Sequence, residues 1–185
     1  MKTPGGRGLC RGPARSIMER MIPYQRGESM KQQERRTWAE ISLPNLEHNY
    51  RALRALLPEG CRFLGVVKAD AYGHGAVPVA RKLEELGAEF LAVSNLEEAV
   101  QLRRAEVRRP ILILGYTPAQ YARELAEMDL RQEVHSLAYA RELETRLLGA
   151  RSRLRVHLKL DTGMARLGFF CQEGEQVLEE LLAVT

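Results

Sequence analysis

Residues 62–75, Arg-Phe-Leu-Gly-Val-Val-Lys-Ala-Asp-Ala-Tyr-Gly-His-Gly, decide how the chain folds. Arg62–Lys68 is a short apolar run carrying two valines, and the glycines at 73 and 75 break it off, so it reads as a strand and a loop. A helix follows to about Leu86. It places Ala76, Val79, Ala80, Leu83 and Leu86 on one face, and Gly87 is positioned to cap it. The same unit recurs downstream. Strand Glu89–Val93 precedes a helix opened by Ser94-x-x-Glu97, a capping-box pattern. Strand Pro110–Leu114 precedes one opened by Thr117-Pro118-Ala119-Gln120, a second such box with proline at the first helical position. A short strand at Gln132–His135, a helix at Leu137–Leu148, a strand at Leu154–Leu160 and a last helix at Gln172–Leu182 complete the series. Upstream, a short strand Thr37–Ser42 leads into a helix from Asn45 to Leu57, with Pro44 near its start and Gly60 beyond its end.

Strand–helix units repeating every roughly 20–27 residues imply parallel strands joined by right-handed crossovers. An open doubly wound sheet and a (β/α)8 barrel both satisfy that pattern. No Gly-x-Gly-x-x-Gly follows any strand, which weighs against the nucleotide-binding open sheet. The predicted fold class is therefore α/β, the N-terminal part of a (β/α)8 TIM-type barrel, incomplete at about five β/α units. An unclosed barrel exposes two strand edges and part of its lumen, so such a chain is expected to fold poorly alone.

Composition narrows the function classes. The 185 residues are 45% hydrophobic and 28% charged, an ordinary globular balance. The net charge of +4 is unevenly placed. Residues 1–36 hold nine Lys/Arg against three Glu, leaving 19 basic and 21 acidic residues beyond them. Residues 1–36 thus read as a disordered basic tail and 37–185 as the globular part. Met30 stands just ahead of the first periodic pattern and is a candidate true start, which would make the upstream segment an extension. The near-neutral remainder, with no basic stripe, argues against a nucleic-acid partner. No run approaches the ~20 apolar residues of a membrane span, and no apolar core segment follows the first basic residues as in an export signal. Three separated cysteines, Cys10, Cys61 and Cys171, suggest neither a disulfide framework nor a zinc site and fit a reducing cytoplasm.

Two clusters carry chemistry, both at C-terminal ends of predicted strands, where a barrel builds its active site. In the first, Lys68 shares strand parity with Leu64 and Val66 and so joins an apolar face. A lysine there is costly unless its charge is reduced or partnered, and Schiff-base chemistry needs such an uncharged amine. A lysine snorkelling from a strand end beside a loop explains the same pattern. In the second, Leu154–Asp161 alternates cleanly. Leu154, Val156, Leu158 and Leu160 face one way, expected against helices, while Arg155, His157, Lys159 and Asp161 face the interior. An edge strand with a solvated polar face gives the same alternation. Arg166, just past Gly163, suits an anionic ligand.

The segments VVKADAYGHG and HLKLDTGMARLG resemble, nearly residue for residue, the two N-terminal signatures of the alanine racemase family, in order and some ninety residues apart. The resemblance runs from about Thr37 onward through LAVSNLEEAVQLR and PILILG. It implies a cytoplasmic homodimer whose barrel holds pyridoxal 5'-phosphate and interconverts L- and D-alanine for the bacterial cell wall. Lys68 would carry the cofactor and act as acid and base on one face of the substrate Cα. Tyr72 would bond the cofactor phosphate, and Leu114 would lie near the cofactor. Arg166 would sit by the cofactor's phenolic oxygen and orient the substrate carboxylate. Met164 would line the substrate pocket, and Lys159 matches the position that the family often carbamylates. The family's second base, a tyrosine in a C-terminal β-domain of the partner subunit, has no counterpart here. Neither do the later barrel segments. The chain therefore reads as a truncated fragment, inactive alone. Serine racemisation by the same machinery and non-catalytic carriage of pyridoxal phosphate are the alternatives.

Overall fold

The computed structural model describes residues 37–170 and residue 179. The basic tail read over residues 1–36 and the helix read over Gln172–Leu182 lie outside the described residues. The chain divides after Ala39, and the larger unit, Glu40–Thr185, is the one described below.

Helix α1 spans Leu43–Ala55. Ser42 starts it, its Oγ accepting the Asn45 N–H at 3.3 Å, and Pro44 falls in the first turn where its missing N–H costs nothing. The strand expected over Thr37–Ser42 does not form: Ser42 is committed to this cap, and residues 37–42 pair with no strand among the described residues.

Five strands follow: β1 Leu64–Val66, β2 Phe90–Val93, β3 Ile111–Ile113, β4 Leu130–Val134 and β5 Arg155–Leu158. They pair in chain order and every pair is parallel. The crossovers carry α2 (Ala76–Glu85), α3 (Leu96–Arg104), α4 (Ala122–Glu127) and α5 (Leu137–Leu147). Strand and helix alternate without exception in this stretch, giving a five-strand arc of a TIM-type barrel. A further short parallel pair, β6 (Leu160–Asp161) and β7 (Phe169–Phe170), flanks the end of β5.

The register sorts the side chains into two faces. Gly65, Leu91, Ile111 and Leu130 are aligned across the sheet. They face the helices: a methyl added to Gly65 would meet Leu83 of α2, and Leu91, Ile111 and Leu130 are buried. Val66, Ala92, Leu112, Arg131 and Arg155 form the opposite, interior row. Central strands β2 and β3 are covered on both faces, hence their unbroken apolar sequence. Val134 continues the helix side, packing with Ala119, Ala122, Tyr139, Leu143 and Phe169. Leu154 joins that cluster, yet Val156 and Leu158 stay 39% and 42% exposed on the same face. The apolar row of β5 was expected under helices. Its exposure follows from β5 being an edge of the sheet.

Helix starts differ from expectation at two places. Asn95, not Ser94, caps α3, its Oδ1 accepting the Glu98 N–H at 2.9 Å. Thr117 opens no capping box: a 3-10 turn, Ala119–Tyr121, intervenes before α4, and no side chain caps it. Thr117 is buried instead, and its carbonyl accepts the Tyr139 hydroxyl.

One cation ties the crossovers together. The half-buried guanidinium of Arg103, at the end of α3, donates to the carbonyls of Val107, Arg109, Met128 and Asp129 at 2.8–3.0 Å. It satisfies the turns leading into both β3 and β4. Arg103→Ala is expected to lower unfolding stability by about 2–4 kcal/mol, since four carbonyls, three of them partly buried, lose a charged donor. Arg103→Lys should recover only part of that, because one ammonium cannot span the fork. Urea midpoints of the three chains decide the point, and equal midpoints would refute it.

Candidate active site

Parallel pairing brings the C-terminal ends of all five strands to one edge of the sheet. Lys68, Ser94, Leu114, His135 and Lys159 follow those ends, on β1 to β5 in turn.

After Lys68 the backbone does something that the sequence did not announce. Ala69, Asp70, Ala71 and Tyr72 all adopt left-handed conformation, with φ between 51° and 53°. Each such non-glycine residue costs roughly 1–2 kcal/mol. Gly73 and Gly75 follow at φ 87° and 88°, which glycine adopts freely, so the strain sits before them. Hydrogen bonds hold the turn closed. Ala71 N–H donates to Val67 O at 3.0 Å, and Gly75 N–H to Asp70 O at 2.9 Å. Asp70 Oδ1 accepts the Ala76 N–H at 2.7 Å, capping the approach to α2. The Ala69 N–H, next to Lys68, donates to Glu98 Oε1 at 2.8 Å. Strain of this kind, fixed by its surroundings, is characteristic of functional sites.

Lys68 is half-buried, and its Nζ lies 6.0 Å from the ring centre of Tyr72, which is 69% exposed. Across the sheet, Lys159 Nζ donates to the Leu114 carbonyl at 3.1 Å. Four of the expected site residues are thus brought together in two pairs, Lys68 with Tyr72 and Lys159 with Leu114. Beside Leu114, Gly115 allows close approach: a Cβ there would stand 2.5 Å from Ser94 O. Met164 and Arg166 lie on the exposed loop joining β6 to β7, where the Met164 backbone N–H also bonds the Asp161 carboxylate. Asp161 shapes this loop, its Oδ1 accepting the N–H groups of Gly163 and Ala165 at 2.9 and 3.0 Å. Those two bonds hold its carboxyl below the ordinary aspartate range. Gly168 permits the β6–β7 pairing, since at φ 134° a Cβ would fall 2.7 Å from Asp161 N.

On β4 and β5 the interior face is polar, as the alternation of β5 predicts. Phe90 is flanked by the guanidiniums of Arg131 and Arg62, 4.7 and 5.1 Å from its ring centre, with the His157 ring edge-on at 6.3 Å. Burial, together with those two arginines, pushes the His157 imidazole below its usual range. Glu133 is almost wholly buried on the same side. Its Oε1 pairs with His135 Nδ1 at 3.0 Å, while Oε2 has no partner among the described residues. His135 stacks on Tyr139, and Tyr116 packs against both rings. Glu98 and Glu133 escaped the sequence reading. Glu98 was findable, being the third helical residue after Asn95. Nothing local distinguishes Glu133.

A βα-barrel domain with a lysine closing its first strand, and a second lysine closing its fifth, is the class that this geometry defines. The alanine racemase N-terminal domain family matches residues 41–185. Alanine racemase from Syntrophobacter fumaroxidans is 47% identical over 149 residues, covering 80% of this chain and 40% of the relative. Alanine racemase 1 from Caldanaerobacter subterraneus is 41% identical, covering 73% of this chain and 35% of its own length. In structure, alanine racemase from Clostridium difficile 630 superposes with a TM-score of 0.75 at 38% identity, covering 80% of this chain and 38% of that one. Histidine racemase from Leuconostoc mesenteroides superposes at 0.70 with 27% identity, covering 78% of this chain and 38% of that one. The chain belongs to the alanine racemase N-terminal domain family and spans about 40% of the length of these relatives.

The left-handed turn gives one prediction. Ala69→Gly should raise stability by up to about 1 kcal/mol, because relief of strain outweighs the added freedom of the unfolded chain. A lower urea midpoint would show that the turn is not strained. The Asp161 loop gives another. Its depressed carboxyl contributes fully above the ordinary aspartate value of 3.8, and the contribution is lost as pH falls through the depressed value. Amide exchange at Gly163 and Ala165 should therefore accelerate only in acid below that value. Asp161→Asn should remove the pH step.

Proposed function

We propose that the chain is the N-terminal part of a pyridoxal-phosphate-dependent alanine racemase. The observation that carries the reading is Lys68, half-buried at the C-terminal end of β1 and followed by a turn of four left-handed residues. The donor set suits the cofactor. Lys68 offers a primary amine, Tyr72 an exposed hydroxyl, and Gly73 backbone with open space around its Cα. Bound there, pyridoxal phosphate would supply the electron sink that makes removal of the Cα proton feasible.

This chain's own residues would do the rest. Lys68 would hold the cofactor and, uncharged, take and return the Cα proton at Nζ on one face of the substrate. Tyr72 would bond the phosphate. Leu114 would pack near the ring while its carbonyl steadies Lys159. Arg166 would orient the substrate carboxylate and Met164 would bound the pocket, the Asp161-capped loop carrying both. Carbamylation of Lys159 would replace its donation to Leu114 by an anion facing Arg166. Inversion needs a base on each Cα face, and Lys68 serves one. The resemblance assigns the other to a tyrosine of the partner subunit's C-terminal domain. We assign the assembled enzyme a homodimer and a cytoplasmic location.

The likeness to a histidine racemase favours a second reading, in which the same barrel half serves another amino acid. Substrate choice then rests on residues outside this half.

Purified chain mixed with pyridoxal phosphate should develop a lysine-dependent visible absorbance that Lys68→Ala abolishes. With one base, the same preparation should not interconvert alanine enantiomers. An undiminished band in Lys68→Ala overturns the assignment of the cofactor lysine. Turnover by the chain alone overturns the one-base account.

A further inference from the structure

We propose that Glu98 is the positioning residue that fixes the Lys68 turn, an inference resting on the assignment of Lys68 as cofactor lysine. Its carboxylate is used at both oxygens. Oε1 accepts the Ala69 N–H at 2.8 Å, while Oε2 accepts the Ser94 N–H at 2.8 Å and the Ser94 hydroxyl at 2.9 Å. Ala69 is the first left-handed residue after Lys68, and Ser94 immediately follows β2. One side chain therefore ties the end of β1 to the end of β2.

The carboxylate is itself held in place. Glu98 is the third residue of α3, and its own N–H is fixed by the Asn95 cap, so the negative charge sits at the positive end of the helix. The tie extends further. Ser94 O lies where a Cβ on Gly115 would collide, and the neighbouring Leu114 carbonyl takes the Lys159 ammonium. Lys68, Glu98, Ser94, Leu114 and Lys159 thus follow one another along the strand ends. The left-handed conformation of Ala69 aims its N–H at α3 instead of at the previous turn. Without an acceptor there, the strained residue loses its partner and Lys68 loses its fixed backbone.

No neutral side chain reproduces this arrangement. A glutamine has one acceptor oxygen for two donor sites, so Glu98→Gln must face an N–H group with its own amide. Alanine removes both acceptors. Ser42→Ala serves as the matched control, since it deletes a cap on α1 that bonds Asn45 and neither Glu98 nor the Lys68 turn.

Two measurements on the full chain test the proposal. The first is hydrogen exchange at the Ala69 amide without cofactor. The second is the pyridoxal phosphate fixed to Lys68 by borohydride, read by mass spectrometry across a pH series. Glu98→Gln and Glu98→Ala should each speed Ala69 exchange and lower capture by roughly tenfold, as expected for one lost hydrogen bond to a charged acceptor. Ser42→Ala should change neither. Capture and exchange that stay at wild-type levels in both Glu98 variants would overturn the proposal, as would an equal loss of capture in Ser42→Ala. A wild-type chain that captures no cofactor would instead overturn the Lys68 assignment. The exchange measurement would then still decide whether Glu98 holds the turn, and where Glu98→Ala fails to fold the near-isosteric Glu98→Gln carries the comparison.

Discussion

Parallel pairing of five strands in chain order is the constraint from which the rest follows. It obliges each connection to cross back over the sheet, and the crossovers become α2 to α5. It sends alternate residues to two different environments, helix-facing and interior. It also delivers every strand's C-terminal end to a single edge. Lys68 and Lys159, 91 positions apart in sequence, reach that edge because each follows a strand of the same direction. Antiparallel pairing anywhere in the series would have put one of them at the opposite end.

Placement alone does not hold a side chain for chemistry. The residues after Lys68 reverse the chain within a few positions and do so in left-handed conformation without glycine. Asp70 supports the far side of this turn through Gly75 and Ala76, and Glu98 supports the near side through Ala69. Both acids act on backbone N–H groups. Their removal would thus be felt as a displaced Lys68 more than as a lost contact. A turn held at both ends is a better anchor for a reactive amine than a flexible glycine loop, because less motion has to be suppressed when a ligand arrives.

Most of the scaffold was legible because barrel strands and their helices announce themselves by periodicity. β2 and β3, covered on both faces, are plain apolar runs, and α2 shows its buried face at helical spacing. Lys68 was legible because strand parity placed it on an otherwise apolar face, whereas Lys159 belongs to the polar row of its strand and only the resemblance singled it out. The misreadings share one cause. Ser94, Thr117 and the stretch before Ser42 all present side chains that serve several local roles, and only tertiary partners choose among them. Ser94 gives its N–H and hydroxyl to Glu98, leaving the cap to Asn95. Thr117 is buried beneath Tyr139, so its carbonyl is used and its hydroxyl opens no helix. The left-handed turn was illegible for the same reason. Ala-Asp-Ala-Tyr has no intrinsic preference for it, and the compensating bonds come from residue 98 and from Asp70 reaching forward to Ala76.

The polar interior row is the least barrel-like feature, and it follows from what the strand ends must hold. Barrel interiors are normally filled by branched apolar side chains. Here Arg131, Glu133, His157 and Lys159 take those places on β4 and β5, the last three toward the end where the candidate site lies. Each is stabilised without a full ion pair: Arg131 by the Phe90 face, Glu133 by His135, and Lys159 by a backbone carbonyl. Glu133 Oε2 has no described partner, and His157 is pushed toward its neutral form by burial and by the arginines beside it. Partial satisfaction of buried polar groups costs stability. An interior built only for stability would have replaced them with valine or leucine. Glu133, His157 and Lys159 lie toward the strand ends from which both lysines emerge, so much of that cost falls beside the candidate site.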